Sequence, residues 1–294
     1  MPDSEAGRRL RVLVTNDDGI RAPALALLAQ VLSAAGHEVQ VAAPAVEQTG
    51  CGASVGQVDG SLVSVQDVEL AGAPGVPALA VAAPPALAVL AACQGQFGRP
   101  PDVVVSGTNV GYNTGSAVLH SGTLSAALTA AVNGIPGIAL STARDAGIGF
   151  ATAAELCASG LGVMVRSLAA RTVLNVNVPD LPLAELAGVR ATRFAAHSLV
   201  SLGVAREADG LRLHRLWSSK PSEDDSDVEA VRQGYVSVTT AFAGVRGPEP
   251  EAALASALAV RLPQGAAQAP AETDEATVTG QLTTPGTARE EERQ

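Results

Sequence analysis

Lysine and aromatic residues are scarce in this chain of 294 residues. Lys220 is the only lysine, and the aromatic residues make up 2% of the sequence. A phosphate-binding P-loop needs a lysine in the pattern G-x-x-x-x-G-K-[ST], and Lys220 stands in Ser-Ser-Lys-Pro, so this loop is excluded. The net charge of −10 argues against a large nucleic-acid-binding surface, which needs clustered lysine and arginine. Any phosphate that the protein binds must be held by backbone amides, arginines or a metal.

Long apolar runs are also missing. No stretch approaches the ~20 apolar residues of a membrane span, and MPDSEAGRRL lacks the apolar core of a signal peptide, so we expect a cytoplasmic protein. The three cysteines, Cys51, Cys93 and Cys157, are far apart and have no metal-ligand spacing. We expect them to be reduced thiols without a function of their own.

Apolar strands alternate with alanine-rich helices through residues 1–180. Strands are predicted at 9–16, 38–44, 77–82, 102–107, 136–142 and 172–179, with helices at 21–38, 83–95, 121–134 and 148–170. Continuous runs of Val, Ile and Leu are typical of parallel strands that are buried on both faces. The sequence therefore predicts an α/β core over residues 1–180, with a mostly parallel sheet and helices on both faces.

The pattern changes after residue 180. GVRATRF, GLRLHRLW and GYVSVTTAF alternate like antiparallel or edge strands, so residues 181–263 are predicted to form a β-rich extension with a closing helix. Within it, the acidic run at 223–227 is expected to be a solvated loop. Residues 264–294 are too polar to bury a core and are predicted to be disordered.

Two adjacent carboxylates, Asp17 and Asp18, follow the first strand in VLVTNDDGIRAPAL (13–26). Two carboxylates about 4 Å apart repel by about 1 kcal/mol in water, and by several times more at a half-buried site. The segment is therefore either a solvated turn or a site where a positive charge compensates the pair. Arg21 and a bound cation are the candidates for that charge.

The loop with Asp17 and Asp18 is the first of four polar loops. The second is VEQTGCG, the third is SGTNVGYNTG and the fourth is HSGT. Ligands bind outside the carboxyl ends of parallel strands, so the four loops are expected to converge. Their carboxylate, hydroxyl and carboxamide oxygens are the ligand type of Mg²⁺ or Mn²⁺. The helix that begins at Ser121, Gly122 and Thr123 offers N–H groups that suit a phosphate, although the same residues would serve as an ordinary N-cap.

Six ordered blocks resemble the survival protein SurE family of metal-dependent 5′-nucleotidases, over about residues 9–245. The blocks are VLVTNDDGIRAPAL (13–26), VAAPAVEQTGCG (41–52), SGTNVGYNTG (106–115), HSGTLSAAL (120–128), LNVNVP (174–179) and SDVEAVRQGYVSVT (226–239). The resemblance implies a Rossmann-like core and an extension that assembles a homodimer or homotetramer. It also implies hydrolysis of nucleoside 5′-monophosphates, with 3′-nucleotides and short polyphosphate as further candidate substrates.

Residue roles follow from the same resemblance. Asp17, Asp18, Thr49 and Asn109 are the implied ligands of one divalent cation, Mg²⁺ or Mn²⁺. On this hypothesis the cation polarises the phosphoryl oxygens and activates the attacking water. The helix start and Asn113 hold the phosphate. The predicted sets are phosphate-binding Asn113, Ser121, Gly122 and Thr123, and catalytic Asp17, Asp18, Asn113 and Ser121.

The chain departs from the family pattern at four places. Thr49 replaces the Ser that is usual in the family, His120 replaces the usual Tyr, and the Glu that is usual near Thr129 is missing. Phe242 ends a Thr-Ala-Phe segment where many members have Pro-Leu-His. Two other functions stay open at this point. AGHEVQVAAP also opens many nucleotide-sugar glycosyltransferases, and a non-catalytic nucleotide-binding assembly protein could retain the fold.

Overall fold

The computed structural model describes residues 8–57, 60–143 and 147–244. Its strands are β1 (Arg11–Thr15), β2 (Glu38–Pro44), β3 (Val65–Asp67), β4 (Ala78–Val81), β5 (Val103–Val110), β6 (Gly137–Thr142), β7 (Thr172–Val178), β8 (Gly188–Thr192), β9 (Val200–Glu207), β10 (Gly210–Trp217) and β11 (Tyr235–Phe242). Its helices are α1 (Pro23–Ala34), α2 (Pro85–Cys93), α3 (Gly122–Val132), α4 (Gly149–Ser167) and α5 (Asp227–Arg232). Every strand and helix predicted within residues 1–180 is present, with displaced ends.

Nine of the strands form one sheet in the order β3-β4-β2-β1-β5-β6-β7-β11-β8. The strands from β4 to β7 in this order all run parallel to one another. The strands β3 and β11 run antiparallel to their neighbours β4 and β7, and β8 pairs parallel with β11. The predicted α/β fold with a mostly parallel sheet is therefore confirmed.

Helices cover both faces of this sheet. On one face α1 packs against α4, and on the other α2 packs against α3. Alternate residues of β1 enter the two cores, because Val12 and Val14 belong to the first and Leu13 to the second. All three side chains are almost completely buried. Burial on both faces explains why consecutive apolar residues such as Val12, Leu13 and Val14 occur in a parallel strand.

The order of the strands reverses next to β1. From β1 the chain passes through α1 to β2 on one side, whereas β5 lies on the other side of β1. Such a reversal opens a crevice at the carboxyl ends of the two strands, which is where open α/β sheets bind ligands. Asp17 and Asp18 follow β1, and Asn109 lies near the end of β5. The topology therefore places these three residues at the crevice.

The segment after residue 180 has two parts. The strands β8 and β11 extend the main sheet, whereas β9 and β10 form a separate antiparallel hairpin. The boundaries 1–180 and 181–263 and the role of the hairpin in assembly stay predictions. Residues 245–294, which include the predicted tail at 264–294, lie outside the described residues. No described helix has the length and apolar character of a bilayer span.

The cysteines are free thiols. Cys157 is buried, and Cys51 and Cys93 are half-buried. Burial raises the pKa of each thiol, to about 11 for Cys51 and Cys93 and about 12 for Cys157. None of them is therefore a reactive thiolate at neutral pH.

The acidic run at 223–227 is solvated only in part. Its first three residues are exposed, but Asp227 is completely buried at the start of α5. The Asp227 carboxylate accepts backbone hydrogen bonds from Ala195 (3.0 Å), Val228 (2.8 Å) and Gly115 (2.8 Å). The expectation of a solvated loop was wrong for Asp227, because the carboxylate satisfies buried N–H groups that would otherwise lack acceptors.

Replacement of Asp227 by alanine is expected to lower the free energy of unfolding by about 3 kcal/mol, because three buried N–H groups lose their acceptor. Asp227→Asn retains one acceptor oxygen and should cost less. Chemical denaturation of both variants measures the loss. Wild-type stability in Asp227→Ala would show that these hydrogen bonds do not hold the segments together.

Candidate active site

A pocket of about 420 Å³ lies where the ends of β1 and β5 meet. This volume is within the range of small-molecule sites. The predicted site residues that line the pocket are Asp17, Thr49, Asn109, Asn113 and Ser121. Asp18, Gly122 and Thr123 do not line it, but each contacts the lining loops. The four loops therefore converge on one pocket.

Asp17 is held by the start of α3. Its Oδ1 accepts a 2.6 Å hydrogen bond from the Thr123 hydroxyl, and the backbone N–H of Gly122 also donates to it. A side chain at Gly122 would not fit, because its Cβ would lie 2.7 Å from the Asp17 Cβ. Only 3% of Asp17 is exposed, and desolvation raises the pKa of its carboxyl group above the ordinary value despite these bonds. The solvated-turn interpretation is therefore wrong for Asp17.

Asp18 is half-buried beside it. Its Oδ2 accepts a long hydrogen bond, 3.4 Å, from the backbone N–H of Val110, which ties the first loop to the third. Burial and the neighbouring Asp17 carboxylate raise the pKa of Asp18 to about 7. Arg21 is exposed, and within the described ranges no cationic side chain forms an ion pair with Asp17 or Asp18. Of the two candidates for the compensating charge, Arg21 is therefore not the partner.

The second loop is bound to the first through its backbone. The N–H of Gln48 donates to the carbonyl oxygen of Asp17 at 2.7 Å. The hydroxyl of Thr49 donates to the Glu47 carboxylate at 2.9 Å, which leaves its oxygen lone pairs available. The Glu47 charge also raises the pKa values of Asp17 and Asp18. Glu47 was not predicted as a site residue, although it is the one acidic residue of VEQTGCG.

The third loop depends on a glycine. Gly107 has a φ of +143°, and a Cβ at this position would collide with the carbonyl group of Leu140. Further along, the Asn109 side chain donates from Nδ2 to the carbonyl oxygen of Gly111 at 2.7 Å. This bond turns the amide group of Asn109 towards the loop backbone and leaves its Oδ1 as the available acceptor.

Asn113 is fixed by a buried network of polar side chains. Its backbone N–H donates to Asn177 Oδ1 at 2.8 Å, and its carbonyl oxygen accepts from the side chains of Asn175 (2.8 Å) and Asn177 (3.0 Å). Its own Nδ2 donates to Ser141 Oγ at 2.9 Å. Ser141, Asn175 and Asn177 were not predicted as site residues from the sequence. The segment LNVNVP could have indicated Asn175 and Asn177, because it places two carboxamides two residues apart in a buried strand.

The three residues at the start of α3 make different contacts. The Ser121 hydroxyl accepts a hydrogen bond from the N–H of Leu124 at 3.0 Å, as an N-cap does, and Ser121 also lines the pocket. Gly122 and the fully buried Thr123 contact Asp17 instead. In this structure Gly122 and Thr123 orient a carboxylate, and the predicted binding of phosphate by the three residues stays a prediction.

The hairpin of β9 and β10 forms one wall of the pocket, which was not predicted from the sequence. Its lining residues include Val200, Leu202, Arg215 and Trp217. The only tryptophan in the chain, Trp217, could have indicated this wall from the sequence. His120, which lies beside Ser121, is exposed and also lines the pocket.

The donor set of the loops suits a hard divalent cation. The described part of the chain contains no group of three or more His, Cys, Asp or Glu side chains placed to hold a metal, so protein carboxylates alone would not complete a coordination shell. Two carboxylates with amide and hydroxyl oxygens are nevertheless ligands that Mg²⁺ and Mn²⁺ accept, with water in the remaining positions. The uncompensated charge of Asp17 and Asp18 fits such an ion.

Known proteins resemble this chain over most of its length. The family model of survival protein SurE matches residues 12–201. The 5′-nucleotidase SurE of Moorella thermoacetica is 36% identical over 234 residues, which is 78% of this chain and 88% of that protein. The corresponding protein of Thermosynechococcus vestitus is 36% identical over 239 residues, with 78% and 89% covered. The crystal structure of the SurE protein from Aquifex aeolicus superposes with a TM-score of 0.67 at 27% identity, covering 81% of this chain and 95% of that one.

The pKa of Asp18 predicts a pH-dependent stability of the metal-free protein. The folded-state pKa of about 7 lies above the ordinary aspartate value of 3.8, so the folded state binds more protons than the unfolded state between these pH values. Stability must therefore fall as the pH rises through this window. In the presence of a chelator at pH 8, Asp18→Asn should raise the free energy of unfolding by about 1 to 3 kcal/mol and flatten the pH dependence.

Thermal melts of wild type and Asp18→Asn across this pH window measure the effect. Addition of Mg²⁺ or Mn²⁺ should stabilise the wild type at pH 8 more than the variant. Equal stability of the two proteins at pH 8, with the same pH slope, would mean that a protein group already compensates the Asp18 charge.

Proposed function

The chain belongs to the survival protein SurE family, and we propose that it is a metal-dependent 5′-nucleotidase. The substrates are nucleoside 5′-monophosphates, and the products are a nucleoside and phosphate. One observation carries the proposal most directly: Asp17 and Asp18 lie at the sheet's switch point, with no cationic side chain among the described residues to pair with them. The relatives named above support a nucleotidase and neither the glycosyltransferase nor the non-catalytic alternative.

The proposed ligands of a single Mg²⁺ or Mn²⁺ ion are Asp17, Asp18, Asn109 and Thr49. When bound, such an ion polarises the phosphoryl oxygens and lowers the pKa of the attacking water. Thr123 and Gly122 keep the Asp17 carboxylate in place through their hydrogen bonds. This support is already in place in the folded protein, so little reorganisation is needed when substrate enters.

Ser121 and Asn113 are the proposed contacts of the phosphate. Both line the pocket, and each is fixed by hydrogen bonds to its surroundings, Ser121 by Leu124 and Asn113 by Asn177. The positive end of the α3 dipole points towards the same region, which favours an anion. Hydrolysis of 3′-nucleotides and short polyphosphate, and a cytoplasmic location, stay predictions from the sequence.

We also propose that the hairpin of β9 and β10 takes part in a homodimer or homotetramer. Outside the pocket the hairpin exposes Val204, Leu211 and Leu213, each more than 60% exposed. A two-stranded hairpin with this much exposed apolar surface is marginally stable by itself, so contact with a second chain would bury it favourably.

Asp17→Asn tests the proposed metal site. The variant removes one negative charge next to the ion and should lower the hydrolysis of AMP by at least about 100-fold, because loss of even an outer-shell partner changes metal sites by 10- to 100-fold. Asp67→Asn is the matched control, since Asp67 is an exposed aspartate on β3. A phosphate-release assay with Mn²⁺ measures both variants. Turnover near the wild-type rate in Asp17→Asn would contradict the assignment.

Two substitutions of Thr49 distinguish metal ligation by its hydroxyl group from packing of its side chain. Thr49→Ser retains the hydroxyl oxygen and should retain activity, whereas Thr49→Val keeps the branched shape and removes the oxygen. We expect Thr49→Val to need several-fold more Mn²⁺ for half-maximal phosphate release, because the remaining ligands still hold some ion. If both variants titrate with Mn²⁺ as the wild type does, the Thr49 hydroxyl is not a ligand.

A further inference from the structure

The pocket contains a large aromatic side chain far along the chain from the proposed metal ligands. Trp217 is the only tryptophan in the sequence, and 63% of it is exposed. It lines the same pocket as Asp17 and Asn109. Tyr112, from the third loop, also lines this pocket. In a chain with 2% aromatic residues, two of them therefore border one cavity.

The pairing of β9 with β10 explains how Trp217 reaches the pocket together with apolar neighbours. Trp217 lies opposite Val200, and Arg215 lies opposite Leu202. Directly opposed residues of an antiparallel pair point to the same face, and so do residues two apart on one strand. These four residues therefore share one face of the hairpin, and all four line the pocket. Leu216, between Arg215 and Trp217, points to the opposite face.

The two ends of the pocket differ in chemistry. The end near Asp17, Asn109 and Ser121 offers oxygen atoms and a helix start, which suit a metal ion and a phosphate group. The hairpin end offers an indole ring, aliphatic side chains and a guanidinium group that has no carboxylate partner among the described residues. Phosphate alone would need only the first end. A ligand that uses both ends must carry a phosphate and a flat apolar group.

We infer that the hairpin face formed by Val200, Leu202, Arg215 and Trp217 is a nucleobase subsite, in which the base stacks on the Trp217 indole. The inference rests on the proposed function and adds a substrate preference to it. Stacking needs only a π-face, so the subsite accepts all bases, and purines bind more tightly because they cover more of the ring. A phosphomonoester without a base, such as ribose 5-phosphate, is a weaker substrate.

Fluorescence tests the contact without any turnover. Because Trp217 is the sole tryptophan, the emission above 300 nm of wild-type protein excited at about 295 nm comes from this one side chain. Titration with adenosine should quench and shift the emission to saturation. Titration with ribose should leave it unchanged. A wild-type spectrum that does not respond to adenosine overturns the inference.

Kinetics test the consequence for substrate choice. In Trp217→Ala the ratio of KM for AMP to KM for ribose 5-phosphate should rise about tenfold, the size expected for loss of one stacked base. Trp217→Phe should recover most of the wild-type ratio. Leu216→Ala is the matched control, because this side chain belongs to the same strand and the opposite face. An unchanged ratio in Trp217→Ala, or the same rise in Leu216→Ala, overturns the inference.

The two proposals fail in different ways. If wild type hydrolyses AMP and Trp217→Ala shows the wild-type KM ratio, the base subsite is wrong and the nucleotidase stands. If wild type hydrolyses neither AMP nor ribose 5-phosphate with Mg²⁺ or Mn²⁺, the proposed function is wrong. In that case the adenosine titration alone decides whether the hairpin face binds a nucleobase.

Discussion

The desolvation of Asp17 and Asp18 is the constraint on which the arrangement of the loops depends. A carboxylate that leaves water must be compensated by hydrogen bonds or by positive charge. The protein supplies hydrogen bonds from Thr123, Gly122 and Val110, and these bonds bring the start of α3 and the third loop against the end of β1. They do not suffice, because the pKa values of both carboxyl groups stay raised. The remaining need for positive charge is what makes the pocket suited to a divalent cation.

The main sheet could be predicted because each of its strands is indicated by a pattern of neighbouring residues. The strands β1 and β5 each contain three consecutive apolar residues, Val12–Val14 and Val103–Val105, and such runs are typical of strands that are buried on both faces. The convergence of Asp17 and Asn109 was also predictable, since parallel strands bring their carboxyl ends to one edge. Both predictions depend only on the order of the strands and helices and on the periodicity of apolar residues. Neither depends on individual side-chain contacts.

Other features depended on contacts between distant parts of the chain. The sequence places Asp227 in an acidic run that is typical of a surface loop. In the structure the backbone N–H groups of Gly115 and Ala195, each more than 30 residues away, donate to its carboxylate. Thr123 reads as a phosphate-binding residue, yet its hydroxyl is directed at Asp17. These hydrogen-bond partners cannot be predicted from the neighbouring sequence, because the packing of α3 and α5 against the sheet determines them. The family resemblance identified the positions in these blocks but not the bonds between them.

The pocket is formed by two different parts of the fold. Oxygen ligands lie on loops anchored to buried strands, whereas the opposite wall belongs to a hairpin outside the main sheet. Residues on such a hairpin can change without disturbing the core, so the chemistry can be kept while the preferred substrate changes.

Anomalous X-ray scattering from a crystal soaked in Mn²⁺ tests the proposal that one divalent ion compensates Asp17 and Asp18. We expect a single strong anomalous peak in each chain, within bonding distance of both carboxylates and of Asn109. A peak at another position, or clear density for water and no anomalous signal between the two carboxylates, would contradict it.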